Sequence, residues 1–402
     1  NDMKIELQDG ATLCLSSKIA IGGGDQDAVH IDSDLLKDIS VGDILLLDDG
    51  RLTFNVTSRD DFSVTCLVVQ GGVLSSKKGV NKFGGGLSAP ALTEKDKADI
   101  KTAAALRTDY LAISFVHSKD DVEEARQLLL AEGSRAHIIA KIERAEAITE
   151  EFLPGIIASA DGIMVARGDL GVEIGDANLV AVQKQLIEAA NTANKVVITA
   201  TQMMESMITA PTPTRAEVFD VANAVLDGTD AVMLSAETAA GKYPIDTVKA
   251  MARVIEGAER HPLAQRSKHR IDQTFSRIDE SLALAAMYVA NHLTGVKAVI
   301  CMTETGFAPL IMSRITSSLP IYAMAEKHGT CEVTTLYKGV VPVPFCASNL
   351  DPKEVNHRAV ETLRAHNVVA DGDLVLITKG DFVNVHGGTN TLKIVRVGDV
   401  IQ

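Results

Sequence analysis

Positive charge is scarce in this chain: 39 Lys and Arg stand against 53 Asp and Glu over 402 residues, a formal net charge of −14. Sequence-independent nucleic-acid binding needs a basic surface, so that class is excluded and an anionic ligand requires a local positive site. Long apolar runs are missing as well. No stretch of about 18 apolar residues occurs, which argues against a membrane-spanning helix, and the opening Asn-Asp-Met-Lys lacks signal-peptide design, so neither membrane nor export is expected. The five cysteines, Cys14, Cys66, Cys301, Cys331 and Cys346, are scattered and odd in number. Their spacing suits neither a zinc site nor a disulfide framework, and a reducing cytoplasm is the expected setting.

What is present is apolar residue enough, 46% of the chain, for two or three domains with sizeable cores. Residues 1–83 read as a small all-β module, with β-rich runs at Thr12-Leu-Cys-Leu, Ile44-Leu-Leu-Leu, Leu52-Thr-Phe-Asn-Val and Ser63-Val-Thr-Cys-Leu-Val-Val between Gly/Asp turns. Ser75 to Gly86 is rich in glycine and lysine and reads as a hinge. Residues 84–262 alternate short apolar strands with amphipathic helices, the pattern of parallel strands and crossover helices. Its strands are expected at Tyr110–Val116, Ile138–Glu143, Gly162–Arg167, Val196–Thr201 and Ala231–Glu237. Residues 263–402 read as a further α/β domain, with a helix from Ile278, a strand at Ala298–Met302 and, in the last third, the run Asp373-Leu-Val-Leu-Ile-Thr378.

In each of the five central units, polar residues gather where the strand ends: Ser114, Lys141 with Glu143, Arg167 with Asp169, Thr201, Ser235 with Glu237. A (β/α)8 barrel builds its active site at that rim, whereas an open doubly wound sheet concentrates chemistry on fewer strands. The expected fold class is therefore α/β, a (β/α)8 TIM barrel carrying an inserted small β-barrel module and a C-terminal α/β domain. Three of its units are not in the text and are expected upstream of Asn1, with the β module inserted after the third.

Lys141 and Glu143 share one face of a strand, and a cation beside an anion at a strand end suits a metal ion and a transferring phosphoryl group. A plain surface ion pair is the competing reading of those two residues alone. Asp169 adds a second carboxylate, and Mg²⁺ needs only one or two if the substrate supplies oxygens. Gly168 permits close backbone approach to an anion, and Thr201 offers a hydroxyl. Against these stand an ordinary βα turn with a capping aspartate and, for Lys77-Lys78, a pair of solvated lysines. The turns Thr303-Glu-Thr305-Gly306 and His386-Gly387-Gly388-Thr389 offer hydroxyls and N–H groups to a phosphate, although most such loops are simply turns.

Ile138-Ile-Ala-Lys-Ile-Glu-Arg-Ala-Glu-Ala-Ile148 resembles the active-site signature of the pyruvate kinase family, and further matches follow in the family's order. They are Ala166-Arg-Gly-Asp-Leu-Gly-Val-Glu, Ala200-Thr-Gln-Met-Met-Glu-Ser-Met, Pro213-Thr-Arg-Ala-Glu-Val, Asp220 to Ser235 and Glu237-Thr-Ala-Ala-Gly-Lys-Tyr-Pro. The form Gly79-Val-Asn-Lys-Phe-Gly-Gly-Gly-Leu-Ser is similar to the bacterial type II branch. The resemblance implies a lid-like β domain, a barrel and a regulatory C-terminal domain. It also implies transfer of the phosphoryl group of phosphoenolpyruvate to ADP, giving pyruvate and ATP in the last step of glycolysis.

By the same resemblance Glu143 and Asp169 hold Mg²⁺ or Mn²⁺, Lys141 stabilises the transferring phosphoryl group and the enolate, and Gly168 and Asp169 backbone bind the substrate carboxylate. Thr201 sits where the enolate is protonated, and Lys78 meets the nucleotide phosphates when the lid closes. K⁺ is implied with ligands outside this text, as are a cytoplasmic homotetramer and a phosphorylated effector in the C-terminal domain, at Thr303, Thr305, Gly306, Gly387 and Gly388. Phe307 stands where the family often has arginine after Gly306. Two other readings are carried: a different Mg²⁺-dependent phosphoenolpyruvate or pyruvate barrel enzyme, and a catalytically impaired fragment or binding scaffold.

Overall fold

The structure is a computed structural model that describes residues 4–21, 23–48, 50–76, 78–262, 274–380 and 388–399. Alternation of apolar and polar residues builds the N-terminal sheet. Its strands are β1 (Lys4–Leu7), β2 (Thr12–Ser16), β3 (Ala28–His30), β4 (Ile44–Leu47), β5 (Leu52–Arg59), β6 (Ser63–Gln70), β7 (Gly72–Ser75) and β8 (Val80–Lys82). Six of them pair in the order β3-β2-β6-β5-β4-β8, while β1 pairs with β7. Along β5 and β6, Leu52, Phe54, Val56, Val64, Cys66 and Val68 point into one apolar core. Their neighbours face water, the period-two pattern of an antiparallel sheet with one solvated face.

β8 corrects the reading of Ser75 to Gly86 as one continuous hinge. Leu47 pairs with Val80 and Leu45 with Lys82, so that stretch is in part an edge strand. The turn proper is Gly84-Gly85-Gly86, with φ of +84°, +81° and +92°. Residues with a Cβ rarely adopt that conformation.

The central strands are β9 (Tyr110–Ile113), β10 (His137–Ile142), β11 (Gly162–Ala166), β12 (Val196–Ala200) and β13 (Ala231–Val232). β10 pairs in parallel with β9 on one side and β11 on the other, and β12 pairs in parallel with β13. Every residue of β11 is buried, as are Ile138, Ile139 and Ala140 of β10, the continuous apolar run of a sheet covered on both faces. Helices follow the strands with clear local signals. Ser118 and Asp121 form a capping box for helix Lys119–Ala131, as do Thr214 and Glu217 for Arg215–Asp227, which stops at left-handed Gly228.

Two expected strands are shorter than their apolar runs. β9 stops at Ile113 because Phe115 turns left-handed at φ +53°, and β13 stops at Val232 before a short helix, Ala236–Ala239. Met203, Met204 and Met207 are buried core, packed with Val221, Ala224 and Ala250.

The N-terminal end of β11 carries an acid that works for stability. Asp161 Oδ2 accepts from Ile138 N–H at 2.8 Å and from Arg126 Nη2 at 3.1 Å, and Oδ1 lies 3.6 Å from His137 Nδ1. Burial pushes this carboxyl up, but its hydrogen bonds to His137 and Ile138 and the Arg126 charge outweigh burial and bring it down to about 2. An unfolded aspartate titrates near about 3.9, so over the window between these values the unfolded chain binds more protons. The stabilisation is therefore complete above that window and is lost as the pH falls through it. Asp161→Asn is expected to lower stability by about 1–2 kcal/mol at neutral pH and by less at about pH 3. Denaturant midpoints at the two pH values measure this, and equal losses at both would contradict it.

The C-terminal strands β14 (Val296–Met302), β15 (Ile321–Ala325), β16 (Val340–Pro344), β17 (Leu374–Gly380) and β18 (Thr389–Arg396) pair in the order β16-β15-β14-β17-β18. All the pairings are parallel except β17 with β18. Two compact units emerge, Asn1–Ala189 with Ala200–Gln202, and Ala190–Thr199 with Met203–Gln402. Among the described residues no helix is long and apolar enough to cross a membrane.

Candidate active site

Register explains why side chains from separate strands meet. β9 and β10 pair Ile113 with Ala140, which sets Ser114 level with Lys141. The Lys141 ammonium donates to Ser114 Oγ at 2.9 Å and lies 2.6 Å from Glu143 Oε1. The other oxygen of Glu143 accepts from Phe115 N–H at 2.6 Å. That contact is what the left-handed turn at Phe115 achieves. It aims a backbone donor at a carboxylate whose side chain is only 2% exposed, and a buried charge without such partners would be costly.

Lys141 keeps a quarter of its side chain open. An ammonium carries three protons, and these two contacts use two of them, leaving a third for an incoming oxyanion.

The next strand ends level with the first. Ile142 pairs with Val165, so Glu143 stands beside Ala166, the residue that precedes helix Arg167–Ile174. Asp169, half-buried, occupies the first turn of that helix. Gly168 N–H donates to Thr201 Oγ1 at 2.8 Å, and the same hydroxyl donates to Ala200 O at 2.6 Å.

Thr201 and Gln202 have φ of +66° and +55°. Each left-handed non-glycine residue costs roughly 1–3 kcal/mol and persists only where its surroundings fix it. Arg167, buried, does the fixing. Its Nη2 donates to Thr201 O at 2.7 Å and its Nε to Ala200 O at 3.3 Å.

The structure thus brings together Lys141 and Glu143, with Ser114, and Gly168 with Thr201. Lys78 is held within the β module, 2.6 Å from Asp48 Oδ1. In the C-terminal sheet, Thr303 Oγ1 accepts from Gly306 N–H at 2.9 Å and Thr305 Oγ1 from Phe307 N–H at 3.4 Å. Gly306 is left-handed at φ +82°, and a Cβ there would come 2.9 Å from Thr334 Cγ2. Gly388 lies just before β18. Gly387, with His386, and Lys77 lie outside the described residues.

Four contributors escaped the reading of the sequence as site residues with stated roles: Phe115, Arg144, Arg167 and Glu173. Arg144 is buried, and its Nη1 donates to Leu87 O. Glu173, also buried, accepts from Ala145 N–H at 2.8 Å and from Asn81 Nδ2 at 3.3 Å. Burial raises its carboxyl above the ordinary range, against the pull of the Ala145 hydrogen bond. Arg167 stood in the Arg-Gly-Asp turn, and Arg144 and Glu173 stood inside the quoted motifs without a role of their own; Phe115 lacked any signal at short range.

Among the described residues no group of three His, Cys, Asp or Glu side chains is placed to hold a metal. A buried glutamate and one helix-terminal aspartate are an all-oxygen, two-carboxylate set. That set fits a hard divalent cation completing its shell with substrate and water, and it does not fit zinc.

Comparison with known proteins gives concordant results. The model of the pyruvate kinase barrel domain matches residues 1–248, and that of the pyruvate kinase alpha/beta domain matches residues 280–395. The chain is 54% identical over 396 residues to pyruvate kinase II of Salmonella typhimurium, covering 98% of this chain and 82% of that protein. It is 52% identical to a pyruvate kinase of Haemophilus influenzae, covering 94% and 80%. With a pyruvate kinase of Geobacillus stearothermophilus the identity is 39%, covering 99% and 68%.

Proposed function

The chain belongs to the pyruvate kinase family, phosphotransferases that act on phosphoenolpyruvate and ADP, and we propose that it carries out this transfer at the rim built by Lys141, Glu143, Gly168, Asp169 and Thr201. The observation that carries the assignment is the buried Glu143 carboxylate, clasped between the Lys141 ammonium and the Phe115 N–H at the ends of two parallel strands.

Glu143 and Asp169 would hold Mg²⁺ or Mn²⁺, which when bound neutralises charge on the phosphoryl and enolate oxygens. Lys141 directs its remaining proton at the transferring phosphoryl group and stabilises the charge that grows on it, and Ser114 and Glu143 keep the ammonium aimed. The work is positioning and electrostatics with no covalent intermediate. Gly168 N–H, already turned toward the Thr201 hydroxyl, shares its proton with the substrate carboxylate. Thr201 holds its hydroxyl where the enolate carbon receives a proton.

The β module acts as a lid. On closure Lys78 exchanges Asp48 for the nucleotide phosphates, and water that would hydrolyse phosphoenolpyruvate is excluded. K⁺ dependence, a cytoplasmic homotetramer and a phosphorylated effector at Thr303, Thr305 and Gly306 belong to the same proposal.

Thr201→Val keeps the side-chain volume and removes the hydroxyl. It is expected to lower kcat for ADP-dependent pyruvate formation by about a hundredfold, the scale of one general acid–base group, with KM for ADP unchanged. Wild-type kcat in this variant would remove Thr201 from the mechanism.

A further inference from the structure

The C-terminal part of the helix Arg167–Ile174 meets the β module. Glu173 is the hub. One oxygen accepts from Ala145 N–H, two residues beyond Glu143, and the other accepts from Asn81 of β8. Its backbone carbonyl accepts from Gly84 N–H at 2.8 Å. A second acid reinforces the junction from the site loop: Glu146 accepts from Gly86 N–H, and its carboxylate fills the space that a Cβ on Gly85 would need, 2.7 Å away. The β4–β5 turn arrives at the same helix, where a Cβ on Gly50 would lie 3.5 Å from Val172.

We propose that Glu173 is a positioning residue for phosphoryl transfer, joining the loop that carries Glu143 to the strand by which the β module enters its glycine turn. One carboxylate thereby spans two elements that the reaction needs in register. When β8 shifts, the pull on Asn81 reaches Ala145 N–H through a single buried side chain, and from there the backbone that aims Glu143. Buried side chains in fixed contact transmit such displacements because the interior is close-packed. Burial drives the Glu173 carboxyl up and the nearby Glu146 charge adds to it, while the Ala145 and Asn81 hydrogen bonds and Arg144 oppose. The two N–H donors are thus what hold the group in place. This inference rests on the rim being the phosphoryl-transfer site and on the β module being its lid.

The test compares Glu173→Ala, Glu173→Gln and Asn81→Ala in the full-length chain, by steady-state kinetics and amide hydrogen exchange. Glu173→Ala is expected to lower kcat about tenfold, the scale of a sub-ångström misplacement, and to speed exchange at Ala145 by at least about tenfold. Glutamine still accepts from Ala145 N–H while Asn81 turns its amide over, so Glu173→Gln should stay within about threefold of wild type. Asn81→Ala leaves the acid in place and removes only its side-chain link to β8. It should raise KM for ADP about fivefold with kcat within about twofold.

Wild-type kcat and protection at Ala145 in Glu173→Ala would overturn the proposal, as would a glutamine variant as impaired as the alanine. Should Glu173→Ala fail to fold, an unchanged KM for ADP in Asn81→Ala overturns it alone. Exchange at Ala145 is read without turnover, so its outcome separates failure of this link from failure of the phosphoryl-transfer reading, which Lys141→Met tests.

Discussion

Lys141→Met is expected to reduce kcat for ADP-dependent pyruvate formation by on the order of a thousandfold, the upper range for removing one preorganised donor. Methionine matches the length and volume of lysine and takes away only the charge and its protons. In the resting site the change removes the cation 2.6 Å from Glu143 and the donor to Ser114. In the proposed reaction it removes the ammonium that the β10 end would aim at the phosphoryl group.

Stability should respond far less. Glu143 keeps Phe115 N–H as a partner and stands to gain the divalent cation, so a loss of about 1–3 kcal/mol is expected, that of a weakened buried polar contact. Circular dichroism and a melting curve at saturating Mg²⁺ verify the fold, and turnover per folded chain gives the kinetic result. A variant with near-wild-type kcat would refute the assignment of Lys141 and with it the phosphoryl-transfer reading of the rim.

The second large effect concerns stability alone. Asp230 and Arg314 form an ion pair with side-chain exposures of 0% and 1%. Asp230 Oδ2 accepts from Arg314 Nη1 at 2.9 Å and from Val197 N–H at 2.9 Å, and Oδ1 accepts from Arg314 Nη2 and from Lys338 N–H at 3.0 Å. Arg314 has three other acceptors, Asn191 Oδ1 at 2.5 Å, Lys195 O at 3.1 Å and Ser313 Oγ, at 3.0 Å from Nη2. Asp230→Ala would leave a buried guanidinium without its counter-charge and two backbone N–H groups without acceptors. Breaking a buried pair from one side costs about 3–5 kcal/mol. The expected result is a large drop in the denaturant midpoint, or loss of soluble protein. Arg314→Met together with Asp230→Leu, which removes both charges, should recover most of it. A single Asp230→Ala variant as stable as wild type would show that water reaches the pair.

Local patterning carried the positions of the central strands and of most rim residues, because a parallel strand is a short apolar run and its chemistry is written where the run stops. Lys141, Glu143, Asp169 and Thr201 were legible for that reason. Ends were less so. Phe115 and Thr201 extend apolar or β-branched runs, yet both are left-handed. What bends them is a distant partner, Glu143 for Phe115 and Arg167 for Thr201. Val80–Lys82 sat inside a glycine-rich stretch, and only its pairing with β4, some 35 residues away, makes it a strand. The link from Asn81 to Glu173 spans 92 residues and has no periodic signature at all. Residues whose role is to hold another residue still are set by tertiary contact, and these the text does not spell out.

β10 is six residues long, roughly 20 Å from end to end, and its two ends answer to different demands. At one, Ile138 N–H is held by Asp161; at the other stand Lys141 and Glu143. If the proposed site is right, substitutions that tune acid stability and substitutions that tune turnover fall on opposite ends of the same strand, where their free energies are expected to add.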